Sequence, residues 1–173
     1  VVEVNTDLEA GYHRGHVSGA VVWGLHTDME DQVCRDIPGV AQLEDLLGRS
    51  GIDKDTTIVL YGDGNNRSAT WAFWILDHYR HRDIRLMDGG RKKWINEGRP
   101  LSADVPVMMA KTYKTSAPDR SLRAMKEYIV GNLGNPAFRL LDTRTREEYF
   151  GLLTSAPGTP QPEIYRKGHI PGA

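Results

Sequence analysis

The sequence predicts an α/β fold, a parallel sheet flanked by helices, built as a duplicated unit whose second copy is incomplete. Three observations carry this. Short apolar runs of β type alternate with helical patterns over residues 1–101. A glycine-rich loop joins a strand to a helix in "TIVLYGDGNNRSATWAFWIL", residues 57–76. The motif "YHRGHVSGA" of residues 12–20 returns as "YRKGHIPGA" at 165–173, with five positions identical and Val17 matched by Ile170. Alternating β and α segments favour a parallel sheet covered by helices, and self-similarity at this distance marks a repeat.

In chain order, "VVEV", "GAVVWGL", "TTIVLY" and "DIRLM" read as strands. "VAQLEDLLGRSG" (40–51) has apolar residues at helical spacing and a Gly-containing stop. Residues 69–79 form a second helix, with Trp71, Phe73 and Trp74 expected in the core. "GGRKKWINEG" (89–98) is a third, with Arg91, Lys92 and Lys93 on a solvated face. The first domain therefore covers 1–101. Residues 102–122, broken by Pro106 and Pro118 and without periodicity, read as a linker. Residues 123–173 open the second domain, with a helix over 123–134 and a strand over "FRLLDTR" (138–144).

Composition narrows the function classes. The 173 residues carry 22 basic and 23 acidic side chains, well mixed, for a net charge of −1. No basic stripe argues for nucleic acid or an anionic membrane. No apolar run approaches the roughly 20 residues needed to span a bilayer, and the opening residues lack the basic and apolar regions of a signal peptide. The chain begins without Met, directly in a strand pattern. A single cysteine, Cys34, excludes an internal disulfide framework and suits a reducing compartment, so a cytoplasmic location is expected.

The loop after "IVLY" presents backbone amides at a helix N-terminus, yet it holds no Cys, and its Ser68 has no base beside it in sequence. It has the form of an active-site loop without its nucleophile. The two "GH-x-x-GA" motifs, "TTIVLYGDGNN", "DIRLMDGGRKKWINEGRPL" and "LLDTRTREEY" together resemble the rhodanese (thiosulfate sulfurtransferase) family. The resemblance is to its tandem two-domain bacterial members and covers essentially the whole chain. It implies a compact α/β domain per copy and a persulfide mechanism. A Cys thiolate takes sulfane sulfur from thiosulfate and passes it to cyanide or another thiol, with no cofactor and no metal.

In an active member the Cys directly follows the strand, where amides at a helix N-terminus lower its pKa and stabilise the anionic persulfide. Here that position is Gly62, or Asp63 if the alignment slips by one. Gly62, Asp63, Gly64, Asn65, Asn66 and Arg67 thus resemble the degenerate loop of a non-catalytic first domain, and this stretch alone is expected to be inactive. From the spacing in the first copy, the nucleophilic Cys is expected on the order of 40 residues beyond Ala173.

Within the chain, Arg144 of "LLDTR" follows a strand end, where the resemblance implies an anion-binding residue for the donor. The competing assignment is a surface ion pair with Glu147 or Glu148. Asp142 is expected to orient that turn. His16 and His169 read as structural histidines bonding local backbone, and Cys34 as a free thiol away from any strand-to-helix turn. Asp63, Asn65 and Asn66 are turn formers or line an interdomain cleft. Trp23 is displaced from the place where relatives carry a Trp on the cleft wall, and 152–165 is a Pro-rich insertion. The expected partners are a small anionic donor and a thiophilic acceptor. Residues 138–173 supply too little for a closed core, so either a second chain carrying the rest of that domain packs there or the stretch leans on the first domain. The alternative function is a non-catalytic binding or regulatory module.

Overall fold

The computed structural model describes residues 1–8, 10–34, 36–155 and 166–173. They form two compact units, Val1–Leu122 and Arg123–Ala173. Among the described residues no helix is long and apolar enough to cross a membrane.

The first unit is built on four strands, β1 (Val2–Asn5), β2 (Val21–Gly24), β3 (Ile58–Tyr61) and β4 (Ile84–Leu86). They are all parallel, in the order β2-β1-β3-β4. Helices α1 (Leu25–Asp28) and α2 (Val40–Arg49) lie between β2 and β3 in sequence, α3 (Asp63–His78) joins β3 to β4, and α4 (Gly90–Asn96) follows β4. Because β1 has a strand on either side, all four of its residues are buried, including Glu3 and Asn5. Leu43, Leu46 and Leu47 of α2 close one side of the core over Val4, Leu60 and Trp23.

Of the three aromatic residues expected in the core, Phe73 and Trp74 pack against it half-buried and Trp71 does not. The buried apolar face of α3 is Ala69, Ala72, Ile75 and Leu76, two small residues followed by two large ones at helical spacing. Trp71 is 36% exposed. It and Trp74 lie at the edge of the packing, where their indole N–H groups donate to the carbonyls of Met29 (3.1 Å) and Leu122 (3.3 Å). Trp23 belongs to the core, with its Nε1 donating to Ser50 Oγ at 2.9 Å.

The second unit contains α5 (Lys126–Asn132) and α6 (Arg146–Tyr149). Helix α6 opens on a capping box, Thr145 and Glu148 satisfying each other's backbone amides. The strand expected over 138–144 does not form. A β-strand exists through the hydrogen bonds of its neighbours, and the described residues of this unit supply no other strand to pair with it. Leu141 is accordingly 81% exposed.

The repeat is real in space but is carried by a different tyrosine. In the first unit the Tyr12 and His16 rings stack at 3.8 Å, His16 Nδ1 lies 3.1 Å from the Tyr12 carbonyl, and the Tyr12 hydroxyl donates to Ala20 O at 2.7 Å. In the second, the same three relations join Tyr149, His169 and Ala173, at 3.8, 2.9 and 2.8 Å. Tyr149, and not Tyr165, therefore stands where Tyr12 does. The clasp spans four residues in the first copy and twenty in the second, so the Pro-rich insertion falls inside it. Residues 156–165, Tyr165 among them, lie outside the described residues.

The segment 102–122, expected as a linker, is strapped along the first unit, although its only regular structure is a short 3-10 turn at Arg120–Leu122. Ser102 bridges His16, and Lys111 N donates to Gly48 O at 2.9 Å, where a side chain at Gly48 would come within 2.6 Å of the Lys111 carbonyl. Glu44 accepts from Lys114 and Thr115, and Asp119 pairs with Arg80. Tyr113 is the strap's buried anchor, and its hydroxyl donates to His81 Nδ1 at 2.8 Å while His81 Nε2 donates to Thr56 O at 2.8 Å.

This pairing needs neutral His81. Burial, with Lys54 nearby, lowers its pKa below the usual histidine value. The unfolded chain then takes up the proton more readily, so the contribution of His81 is complete above the ordinary pKa near 6.5 and is lost as pH falls below it. Tyr113→Phe should cost about 1–3 kcal/mol in urea denaturation, because it leaves a buried ring nitrogen unsatisfied. His81→Gln, which keeps one acceptor and one donor without titrating, should narrow the difference in urea midpoint between pH 7.5 and pH 5.5. An unchanged difference would remove His81 from the acid sensitivity.

Candidate functional site

The reactive-loop position of the first unit follows β3. Tyr61 ends the strand, Gly62 caps α3, and the first turn then passes through three successive left-handed residues, Gly64, Asn65 and Asn66 (φ 55°, 57° and 64°). Glycine and asparagine are the residues that tolerate this region, so the loop's composition is its geometry. Asn66 turns its side chain back into the loop. Its Oδ1 accepts from Gly62 N at 3.0 Å and its Nδ2 donates to Met87 O at 2.7 Å. The next amide, Asp63 N, donates to Asn5 Oδ1 at 3.3 Å. Two amides that an anion in the loop would use are thus taken by asparagines. Any side chain at Gly62 would collide with the Val4 carbonyl oxygen, and one at Gly90 with Asn66 Oδ1.

Beneath the loop lies a buried polar cluster. Glu3 is fully buried, and both of its carboxylate oxygens accept from Arg91 Nη1 at 3.1 Å. Asn5 Nδ2 donates to Glu3 at 2.6 Å and the Tyr61 hydroxyl donates to it as well, while the same hydroxyl oxygen accepts from Val17 N at 3.0 Å. Burial, reinforced by the bond to Glu3, pushes the Tyr61 hydroxyl far above the usual tyrosine range. Arg91 also reaches Gly11 O and, at 3.6 Å, Asp63. The sequence reading put Arg91 on a solvated helix face, but its side chain is only 8% exposed. A charged residue between valines in a central strand, "VVEV", was the available sign of a buried partner cation.

The second unit brings together three of the residues singled out from sequence. Arg144 Nε and Nη2 grip both oxygens of Asp142 at 2.6–3.2 Å, and Nη2 also donates to Gly168 O at 2.7 Å, next to His169. The partner of Arg144 is therefore Asp142, while the Glu148 carboxylate is occupied by Thr145. The bond from Arg144 holds the Asp142 carboxyl below its usual range. Both residues line a cleft of about 520 Å³ together with Arg166, Lys167 and His169. His16 and His169 make the local backbone contacts already described. Cys34 is exposed in a turn capped by Asp31, with Cys34 N donating to Asp31 Oδ1 at 2.7 Å. Among the described residues no group of His, Cys, Asp and Glu is placed to hold a metal.

The model of the rhodanese-like domain matches residues 1–97. The chain belongs to the rhodanese-like family. It is 40% identical over 172 residues to a "Putative thiosulfate sulfurtransferase" of Mycolicibacterium smegmatis, covering 99% of this chain and 61% of that protein. It is 42% identical over 178 residues to the sulfur carrier protein TtuD of Thermus thermophilus, covering all of this chain and 61% of TtuD. The chain thus spans about three fifths of the length of these curated relatives. The crystal structure of YnjE matches with a TM-score of 0.84 at 26% identity, over 99% of this chain and 40% of YnjE. The parallel sheet and its helices are therefore the rhodanese fold.

Within that fold the Glu3–Arg91 pair is the main polar cross-link beneath the loop of the first unit. Removing one partner of a buried pair leaves an uncompensated charge, so Arg91→Ala should cost about 3–5 kcal/mol in chemical denaturation. The double replacement Glu3→Leu with Arg91→Met should recover much of that loss. A loss below about 1 kcal/mol for Arg91→Ala would show the pair to be dispensable.

Proposed function

We propose that the complete protein is a sulfurtransferase of the thiosulfate type, with a non-catalytic first unit and its chemistry in the second. A cysteine thiolate beyond Ala173 attacks the outer sulfur of thiosulfate, the S–S bond breaks, sulfite leaves, and the persulfide sulfur then passes to cyanide or a thiol acceptor. Family membership and the names of the relatives favour sulfur transfer. The observation that carries the assignment to the second unit is the contrast between the two copies. The first-unit loop is filled by its own Asn66, whereas the second unit keeps a guanidinium at a cleft, with the Arg144 side chain 41% exposed. Arg144 supplies the positive charge that an anionic donor needs, and no cofactor or metal enters the scheme. Because Nε and Nη2 are spent on Asp142 and Gly168, Nη1 is the nitrogen left for the donor, and the contact is narrower than the bidentate fork an unengaged arginine would offer.

Residues 1–173 should give no thiocyanate from thiosulfate and cyanide. Gly62→Cys should not create the activity, since the Val4 carbonyl occupies the space of the new side chain. Thiocyanate formed by the unaltered chain and abolished by Cys34→Ser would overturn the assignment.

In the complete protein, Arg144→Ala should lower kcat/KM for thiosulfate about ten- to a hundredfold, the worth of one charge-assisted hydrogen bond of about 1.5–3 kcal/mol. An unchanged value, with an intact fold by circular dichroism, would remove Arg144 from donor binding. The alternative, a non-catalytic binding or regulatory module, draws support from the occupied loop of the first unit. It requires that the complete protein also lack sulfur transfer.

A further inference from the structure

The shared Tyr–His–Ala clasp puts the two copies into register and shows where an ion pair has moved between them. Tyr149 matches Tyr12, so Asp142 stands at the place of Asn5, Arg144 at that of Asp7, and Leu140 at that of Glu3. In the first copy the carboxylate is Glu3, fully buried, and its cation Arg91 comes from a distant helix. The Asn5 side chain between them is divided. Its Nδ2 donates to Glu3 and its Oδ1 accepts from the loop amide of Asp63. In the second copy an apolar Leu140 replaces the buried carboxylate. The charge appears two residues later as Asp142, paired with a cation two residues further on.

We infer that Asp142 is a positioning residue for Arg144 and sets which nitrogen of the guanidinium meets the anionic donor. This rests on the sulfurtransferase reading given above. An arginine on the surface samples many rotamers, and ordering it on binding costs affinity. Asp142 removes that cost in advance. Its Oδ1 accepts from Nε at 3.0 Å and its Oδ2 from Nη2 at 2.6 Å, a two-point grip that fixes the plane of the guanidinium. The Gly168 carbonyl takes the second proton of Nη2 at 2.7 Å. Among the described residues nothing bonds Nη1, and Arg144 is one of the residues lining the cleft. Asp142 is itself anchored, since it also accepts from the Arg144 amide at 3.0 Å, and its side chain is only 12% exposed. A residue that merely capped the turn would need the amide bond alone. The grip on Nε and Nη2 serves the guanidinium.

A double-mutant cycle in the complete protein tests this, with thiosulfate as the probe and kcat/KM and kcat read separately. Asp142→Ala and the near-isosteric Asp142→Asn should each lower kcat/KM for thiosulfate about five- to tenfold, through KM, with kcat changed less than twofold. In an Arg144→Ala background the same substitutions should lower kcat/KM by less than twofold, because the group they position is gone. Equal losses in both backgrounds would make Asp142 a structural residue acting independently of Arg144. The inference would also fail if Arg144→Ala were costly while neither Asp142 variant was, and the sulfurtransferase reading would then stand. If Arg144→Ala itself left kcat/KM unchanged, both the role of Arg144 and that of Asp142 would fall. Should Asp142→Ala fold poorly by denaturation midpoint, the Asn variant carries the cycle.

Discussion

Glu3 is a carboxylate with no exposed surface in a strand that has neighbours on both sides, and much of the first unit is arranged to accommodate it. Burying an ionised group without partners costs several kcal/mol. Arg91, Tyr61 and Asn5 therefore converge on it. That convergence has steric consequences. A side chain at Gly11 would displace Asn5 Nδ2 from this cluster, and one at Gly90 would meet Asn66 and the Gly62 carbonyl in the loop above it. At Gly90 the backbone is also left-handed, with φ of 54°. Helix α4 has to begin almost directly after β4 to bring Arg91 under the sheet. The same short connection sets the Met87 carbonyl where Asn66 can bond it.

Much of the fold was legible because its determinants are local. Four apolar runs became the four strands, and the leucine spacing of 40–51 became α2, because period and burial coincide there. The loop at 62–67 was recognised from its glycines and asparagines, whose tolerance of left-handed backbone is intrinsic to the residue. What escaped was non-local. Nothing near Arg91 in sequence reveals a partner eighty-eight residues away. The strap at 102–122 has no periodicity, since its hold on the domain comes from scattered clips such as Tyr113 on His81 and Lys111 on Gly48. The strand expected at 138–144 had the right local propensity but lacked the pairing that turns propensity into structure. The tyrosine of the second clasp was misassigned because an insertion separates Tyr149 from its histidine while a nearer Tyr165 mimics the spacing.

The two copies preserve one device and exchange another. The aromatic clasp is nearly identical in geometry, with ring planes within 6° and 5° of parallel. Its role is mechanical, tying the histidine and alanine of each Gly-His motif to a tyrosine before it. The charged groups beside it are not preserved. In the first unit Arg91 is locked against Glu3, and the amides of Gly62 and Asp63 are taken by Asn66 and Asn5. In the second unit the carboxylate lies next to its arginine in sequence and at a cleft in space. An ion pair that is partly exposed contributes little to stability, so breaking the Asp142–Arg144 pair should cost its unit less than breaking the buried Glu3–Arg91 pair costs the first.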